Sequence, residues 1–238
     1  YVNQQNINSL HTHVTGYPPF ETHQKSQISK NAGLKSLGLD PSKPTILFLL
    51  SNIEWNTHYL SYRSSNDRSG CESQKAIIDQ LATHTDIQLI LKGHPSLSSP
   101  ITPIKKYAEN IMGERFAFVS HWGFGDMLDI ADVFIVDLPS TSFLQMVKTE
   151  KSIFVYNDSY SFIEEALPLF KNRVIWKDDI IQFCDTLGKE IKSGQAFIPH
   201  GDNQEFYKMY ANSYTDGYSS TRVATAVADI AKEHQWNS

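Results

Sequence analysis

Side-chain chemistry concentrates at two places in this 238-residue sequence: a histidine held between glycine and proline, and a row of three hydroxyl side chains. The first is Lys92-Gly93-His94-Pro95, directly after the apolar run Ile87 to Leu91. Glycine lets the backbone turn and proline ends a strand, so His94 is expected at a strand's end. An imidazole there can donate to a phosphate oxygen or exchange a proton. Lys92 adds positive charge unless it points away. The plainer reading is a loop histidine that satisfies backbone groups. The second place is Asp137-Leu138-Pro139-Ser140-Thr141-Ser142, between the apolar run Val133 to Val136 and the amphipathic Phe143-Leu144-Gln145-Met146-Val147. Ser and Thr at a helix start accept from free backbone N–H groups. The same start offers N–H groups and partial positive charge to an anion. Three hydroxyls exceed what one cap needs, which leaves two readings open: capping of a buried helix, or a cradle for a pyrophosphate.

Weaker signals follow other apolar runs. The stretch from Ser51 through Gly70 is long and rich in Ser, Asn and Arg, and Arg63 and Arg68 either reach anions or belong to a solvated loop. After Phe116 to Val119 come Ser120-His121-Trp122-Gly123-Phe124-Gly125, where His121 and Trp122 are candidates for a nucleobase contact and the aromatics equally suit plain packing. Gly123-Phe124-Gly125 lacks the third glycine of a dinucleotide fingerprint. The sequence contains no P-loop, no HExxH, no zinc spacing and no GxSxG elbow. Asp178-Asp179 reads as a helix-capping pair. Cys71 and Cys184 read as two reduced thiols rather than a bridge.

The elements that must position these residues alternate in type. Apolar runs at Ile46 to Leu50, Ile87 to Leu91, Phe116 to Val119, Val133 to Val136, Ile153 to Tyr156 and Val174 to Trp176 are short, and several are continuous. Strands buried on both faces have that pattern. Helical stretches are expected at Lys25 to Leu37, Glu72 to His84, Pro103 to Met112, Asp126 to Ile130, Ser142 to Lys148 and Asp179 to Ser193. Two more close the chain, near Glu205 to Ala211 and Ser220 to His234. The alternation predicts an α/β fold, a Rossmann-like doubly wound parallel sheet, with ligands at the carboxyl ends of its strands. Residues 1–23, polar and interrupted by Gly16-Tyr17-Pro18-Pro19, read as an entry segment, and 24–238 as one domain.

Composition narrows the classes. With 40% hydrophobic and 20% charged residues the chain is globular rather than disordered. A net charge of -5 argues against sequence-independent nucleic-acid binding, which needs surplus Lys and Arg. No apolar run approaches the roughly 18–20 residues of a spanning helix, and no signal-peptide pattern opens the chain, so a cytoplasmic protein is expected. The first residue is Tyr1 rather than Met, as expected of a fragment, a processed chain or an expression product.

Four spaced motifs carry a resemblance: Thr15-Gly16-Tyr17-Pro18; Lys92-Gly93-His94-Pro95; Ala131-Asp132-Val133 through Asp137-Leu138-Pro139-Ser140-Thr141-Ser142; and Asp216-Gly217 with Arg222. Together they are similar to the C-terminal half of CDP-glycerol glycerophosphotransferase-like enzymes. They also resemble capsule and surface-polysaccharide transferases of GT-B architecture. The resemblance implies a donor-binding domain in which His94 and the hydroxyls of Ser140, Thr141 and Ser142 contact the donor's diphosphate, with Lys92 and Gly93 beside them. Related enzymes carry a Glu one turn after the hydroxyls to hold the ribose; here the position is Gln145, which hydrogen-bonds without charge. A Gly-Lys-Pro often follows that helix, where this chain has Glu150-Lys151-Ser152. The implied partners are a nucleotide-sugar or CDP-alcohol donor and an N-terminal acceptor domain, through which the enzyme would sit at the inner face of a membrane. No cofactor or metal is expected. Two alternatives remain open: a sugar-nucleotide 2-epimerase of the same architecture, and a non-catalytic nucleotide-binding module.

Overall fold

The computed structural model describes residues 13–21, 28–51, 67–93, 103–158, 161–199, 204–214 and 216–233. The six apolar runs form six strands, each shifted by no more than one residue: β1 (Thr45–Leu49), β2 (Gln88–Lys92), β3 (Phe116–Val119), β4 (Val133–Val136), β5 (Ser152–Tyr156) and β6 (Ile175–Lys177). All pairings are parallel, in the order β3-β2-β1-β4-β5-β6. Parallel strands need crossover connections. The described helices are α1 (Pro18–Glu21), α2 (Lys30–Ser36), α3 (Asp67–Ala82), α4 (Pro103–Met112), α5 (Phe124–Ile130), α6 (Thr141–Val147), α7 (Leu167–Arg173), α8 (Ile180–Lys192), α9 (Glu205–Tyr210) and α10 (Ser219–Glu233).

Every other strand residue joins one core. Ile46, Phe48, Leu89, Leu91, Val133, Ile135, Phe154 and Tyr156 pack against Ile77, Ile78 and Leu81 of α3, Ile104 and Ala108 of α4, and Phe183, Leu187 and Ile191 of α8. The intervening Leu47, Ile90, Phe134, Val136, Ile153 and Val155 are also buried, so the sheet is covered on both faces. Met127 and Ile130 of α5, Phe143 and Met146 of α6 and Phe170 of α7 are buried outside the first core. The Phe143 and Phe170 rings meet at 5.6 Å between centroids. Each large apolar side chain buried in this way contributes about 1.5–3 kcal/mol.

Helix boundaries depart from the sequence expectation at four points: α1 falls within the segment read as an entry segment, α2 starts at Lys30 rather than Lys25, and the other two concern α3 and α7. The third helix starts at Asp67, five residues before Glu72, so Ser69 and Gly70 are helical rather than looped. Helix α7 has no counterpart among the expected helices; Pro168 lies in its first turn, where a missing N–H costs nothing. Asp179 caps α8 as expected, its side chain accepting from Gln182 N at 2.8 Å.

Contacts divide the chain into two compact units, residues 25–206 and residues 1–24 with 207–238. The first holds the sheet. In the second, Gly16 takes φ +81° and has no room for a side chain, since a Cβ would lie 2.1 Å from Ser219 Oγ. Arg222 donates to Thr15 O at 2.9 Å, to both oxygens of Asp216 at 2.8 and 3.0 Å, and to Glu21 at 3.3 Å. Its guanidinium stacks on Tyr214 at 3.8 Å. Glu21 also accepts from Ser219 N at 2.7 Å and Asn212 Nδ2 at 3.4 Å. Burial works to raise the Glu21 pKa, and these hydrogen bonds with the Arg222 charge outweigh it, leaving the carboxyl below its ordinary value. Thus Thr15-Gly16, Asp216-Gly217 and Arg222, far apart in sequence, form one polar cluster.

Candidate functional site

The chain progresses outward across the parallel sheet in two opposite directions from its centre. The chain passes from β1 through α3 to β2 on one side, and from β4 through α6 to β5 on the other. β1 and β4 are adjacent, so the topological switch point lies between their carboxyl ends, where doubly wound sheets bind ligands.

The described part of the first place, Lys92-Gly93, and the hydroxyl row both lie on that edge. Lys92 ends β2 and Ser140 follows β4; β1 alone separates the two strands, which puts them about 10 Å apart. Gly93 N donates to Val119 O at 3.2 Å. His94 lies outside the described residues, as do Arg63 and the rest of 52–66. Lys92 is buried, 4% exposed, and its Nζ donates to Ser120 O at 3.0 Å. Burial lowers its pKa, and no ion pair offsets that burial among the described residues.

The hydroxyl row has a definite local structure. Ser140 is the N-cap of α6 with an extended backbone (φ -107°, ψ -171°), yet its side chain makes no capping bond. Ser140 and Thr141 are exposed, and Ser142 and Gln145 half-buried. None of the four side chains forms a hydrogen bond among the described residues, so their donors and acceptors stay available. Capping therefore does not account for the row.

Two cations, buried Arg173 and half-buried Lys151, hold the helices that frame this edge, acting from the far ends. Arg173 of α7, 1% exposed, donates to the carbonyls of Val147 and Lys151 at 3.1 Å and of Thr149 at 2.5 Å, just past the C-terminus of α6. Burial pushes its pKa down to about 10. Its Nη1 is buried without a partner among the described residues. Lys151 likewise donates to Leu128 O and Ala131 O at the end of α5, at 2.5 and 2.6 Å.

A polar network not anticipated from sequence underlies the switch point. Asp137 Oδ1 accepts from Ser51 N at 2.6 Å; its Oδ2 accepts from Ser51 Oγ at 2.7 Å and from Gln74 Nε2 at 2.6 Å. Beside it Ser73 Oγ donates to Tyr156 Oη at 3.3 Å, and Tyr156 Oη donates to Asp158 Oδ2 at 3.0 Å. Burial, reinforced by Asp158, pushes the Tyr156 pKa up to about 12. The available signal was the adjacent polar pair Ser73-Gln74 within a helix that otherwise buries apolar residues.

The remaining sequence candidates stand elsewhere. His121 is exposed and Trp122 half-buried, after the edge strand β3, and the Trp122 ring lies against Gly33 of α2, where a Cβ would meet it at 3.5 Å. Arg68 pairs with Glu72 at 2.8 Å along the exposed side of α3. Among the described residues no group of three His, Cys, Asp or Glu is placed to hold a metal ion, and no helix is long and apolar enough to cross a membrane.

A six-stranded parallel sheet with this order and switch point is a Rossmann-like doubly wound fold. No family model and no curated protein matches the sequence. Among solved structures the chain is similar to a protein assigned as a UDP-N-acetylglucosamine 2-epimerase from Listeria monocytogenes. The TM-score is 0.58 at 14% identity, covering 98% of this chain and 57% of that one. It is similar also to a glycosyltransferase from Rickettsia africae, with a TM-score of 0.52 at 12% identity, covering 93% of this chain and 56% of that one. The chain thus spans just over half the length of either neighbour.

Proposed function

We propose that this chain is the donor-binding domain of a GT-B-type transferase, of the glycosyltransferase or glycerophosphotransferase-like kind, that serves the synthesis of a surface polymer such as capsular polysaccharide or teichoic acid. The observation that carries the reading is the hydroxyl row of exposed Ser140 and Thr141 and half-buried Ser142, unspent on capping and set at the switch-point edge. The ligand it suits is the diphosphate of a nucleotide-sugar or CDP-alcohol. Hydroxyls and helix-start amides can all donate to phosphate oxygens. Lys92 adds a buried positive charge two strands away, and Gln145, one turn into α6, is available to a sugar hydroxyl.

On this reading His94 and the hydroxyl row stabilise the negative charge that gathers on the leaving nucleotide as its bond breaks. That is electrostatic preorganisation by this chain's own donors, with no metal required. The acceptor and its base would come from a second domain outside this chain. His121 and Trp122 are the candidates for the base contact.

Calorimetry with UDP, CDP, ADP and GDP tests the reading. Micromolar binding of one of them, weakened by His94→Ala with the circular dichroism unchanged, is the expected result; no binding by the parent protein sinks it. In an assay of donor turnover, loss of His94 is expected to cost about a hundred- to a thousand-fold. The likeness to the Listeria protein favours a second reading, a sugar-nucleotide 2-epimerase. The two separate cleanly: an epimerase forms product from donor alone, a transferase only with an acceptor.

A further inference from the structure

We propose that Asp137 is a positioning residue for the donor site, with Gln74 and Ser51 as its partners; the inference rests on the reading above. Asp137 is the first residue past β4, and Leu138-Pro139 alone separate it from Ser140. Its carboxylate takes three short hydrogen bonds from two other elements, two from Ser51 at the end of β1 and one from Gln74 of α3. Gln74 is 1% exposed, so its amide has no recourse to water. The carboxylate therefore clamps together the two strand ends that flank the switch point, and the turn carrying the hydroxyl row starts from the clamped residue. A charged acceptor suits the task, because the Ser51 N–H, the Ser51 hydroxyl and the Gln74 Nε2 group all donate to it.

Exchanging donor and acceptor across the Asp137–Gln74 pair tests the clamp. Asp137→Asn keeps the shape but turns one oxygen into an NH2 group facing the Gln74 NH2. Gln74→Glu in the parent chain sets two carboxylates against each other. Combining the two restores a donor facing an acceptor, while the one side-chain oxygen left at position 137 still accepts from Ser51 N. Each single variant is expected to weaken binding of the preferred nucleoside diphosphate about tenfold, and the double variant to recover most of that loss. Binding is measured by calorimetry well below the melting temperature of every variant. Gln74→Leu, which removes only the helix arm, provides a milder perturbation if a single variant fails to fold.

Melting temperatures that fall while affinity stays at the parent value would reduce Asp137 to a structural role and overturn the proposal. So would singles that weaken binding without rescue in the double. If the parent protein binds none of the four nucleotides, the functional reading fails, and amide hydrogen exchange at residues 141–143 still decides whether the clamp positions the turn. Exchange about tenfold faster in Asp137→Asn, slowed again in the double variant, is expected; unchanged exchange refutes the clamp.

Discussion

Replacing Arg173 by methionine should destabilise the sheet-bearing unit although the residue touches no ligand. The guanidinium is the donor on which the Val147, Thr149 and Lys151 carbonyls rely beyond α6. Methionine is of similar length, fills much of the same space and donates nothing. Each buried acceptor left without a donor costs about 1–3 kcal/mol, giving a gross penalty of about 3–9 kcal/mol. An opposing term relieves part of it. Burial has drawn the Arg173 pKa down from its ordinary range to about 10, equivalent to about 3 kcal/mol of unfavourable desolvation that methionine does not suffer. Subtracting it leaves a loss of about 0–6 kcal/mol; the midpoint, about 3 kcal/mol, corresponds to a fall in melting temperature of about 6–12 °C for a unit of this size. Thermal denaturation followed by circular dichroism measures it. A variant melting within about 2 °C of the parent would show that the carbonyls find other donors, and would refute Arg173 as the anchor of α6.

Three further outcomes follow from local geometry. Asp179→Ala removes the N-cap bond to Gln182 N and should cost about 1 kcal/mol in chemical denaturation, with Asp179→Asn nearly silent. The Arg222 hydrogen bonds hold the Asp216 carboxyl below its ordinary pKa, and Glu21 is lowered as well. Their stabilisation is therefore full above the unfolded carboxyl pKa near 4 and lost as pH falls through the lower folded values. Proteolysis within 207–233 should accelerate in that acid range, and Arg222→Ala should weaken the pH dependence, the hydrogen bonds of Glu21 to Ser219 and Asn212 and of Asp216 to Tyr218 N remaining. Burial pushes the Cys184 thiol up to about 11, so at pH 8 it should alkylate far more slowly than a free cysteine peptide, a rate that mass spectrometry reads directly.

The strands were legible because burial on both faces writes continuous apolar runs, and Val133 to Val136 is the clearest of them. The carboxyl-end rule then located Lys92, Gly93 and Ser140 to Ser142 on one edge without coordinates. Helix α7 was illegible because Pro168 reads as a breaker until its place in the first turn is known. The early start of α3 was hidden by Ser69 and Gly70, poor helix formers that tertiary packing overrides. Least legible were pairings across long separations. Nothing local marks Gln74 as the partner of Asp137, 63 residues on, or Glu21 as the partner of Arg222, 201 residues on. Such contacts depend on topology, and a single sequence does not encode them in its period. The hydroxyl row shows a subtler limit. Its residue types fit a cap, and only the geometry reveals that Ser140 makes no capping bond.

The most direct test is a crystal structure of the protein soaked with whichever nucleoside diphosphate binds best. The β-phosphate is expected at the carboxyl edge between β1 and β4, with its oxygens within about 3.2 Å of the Ser140 and Thr141 hydroxyls. A diphosphate seated elsewhere, with that row still facing solvent, would contradict the account.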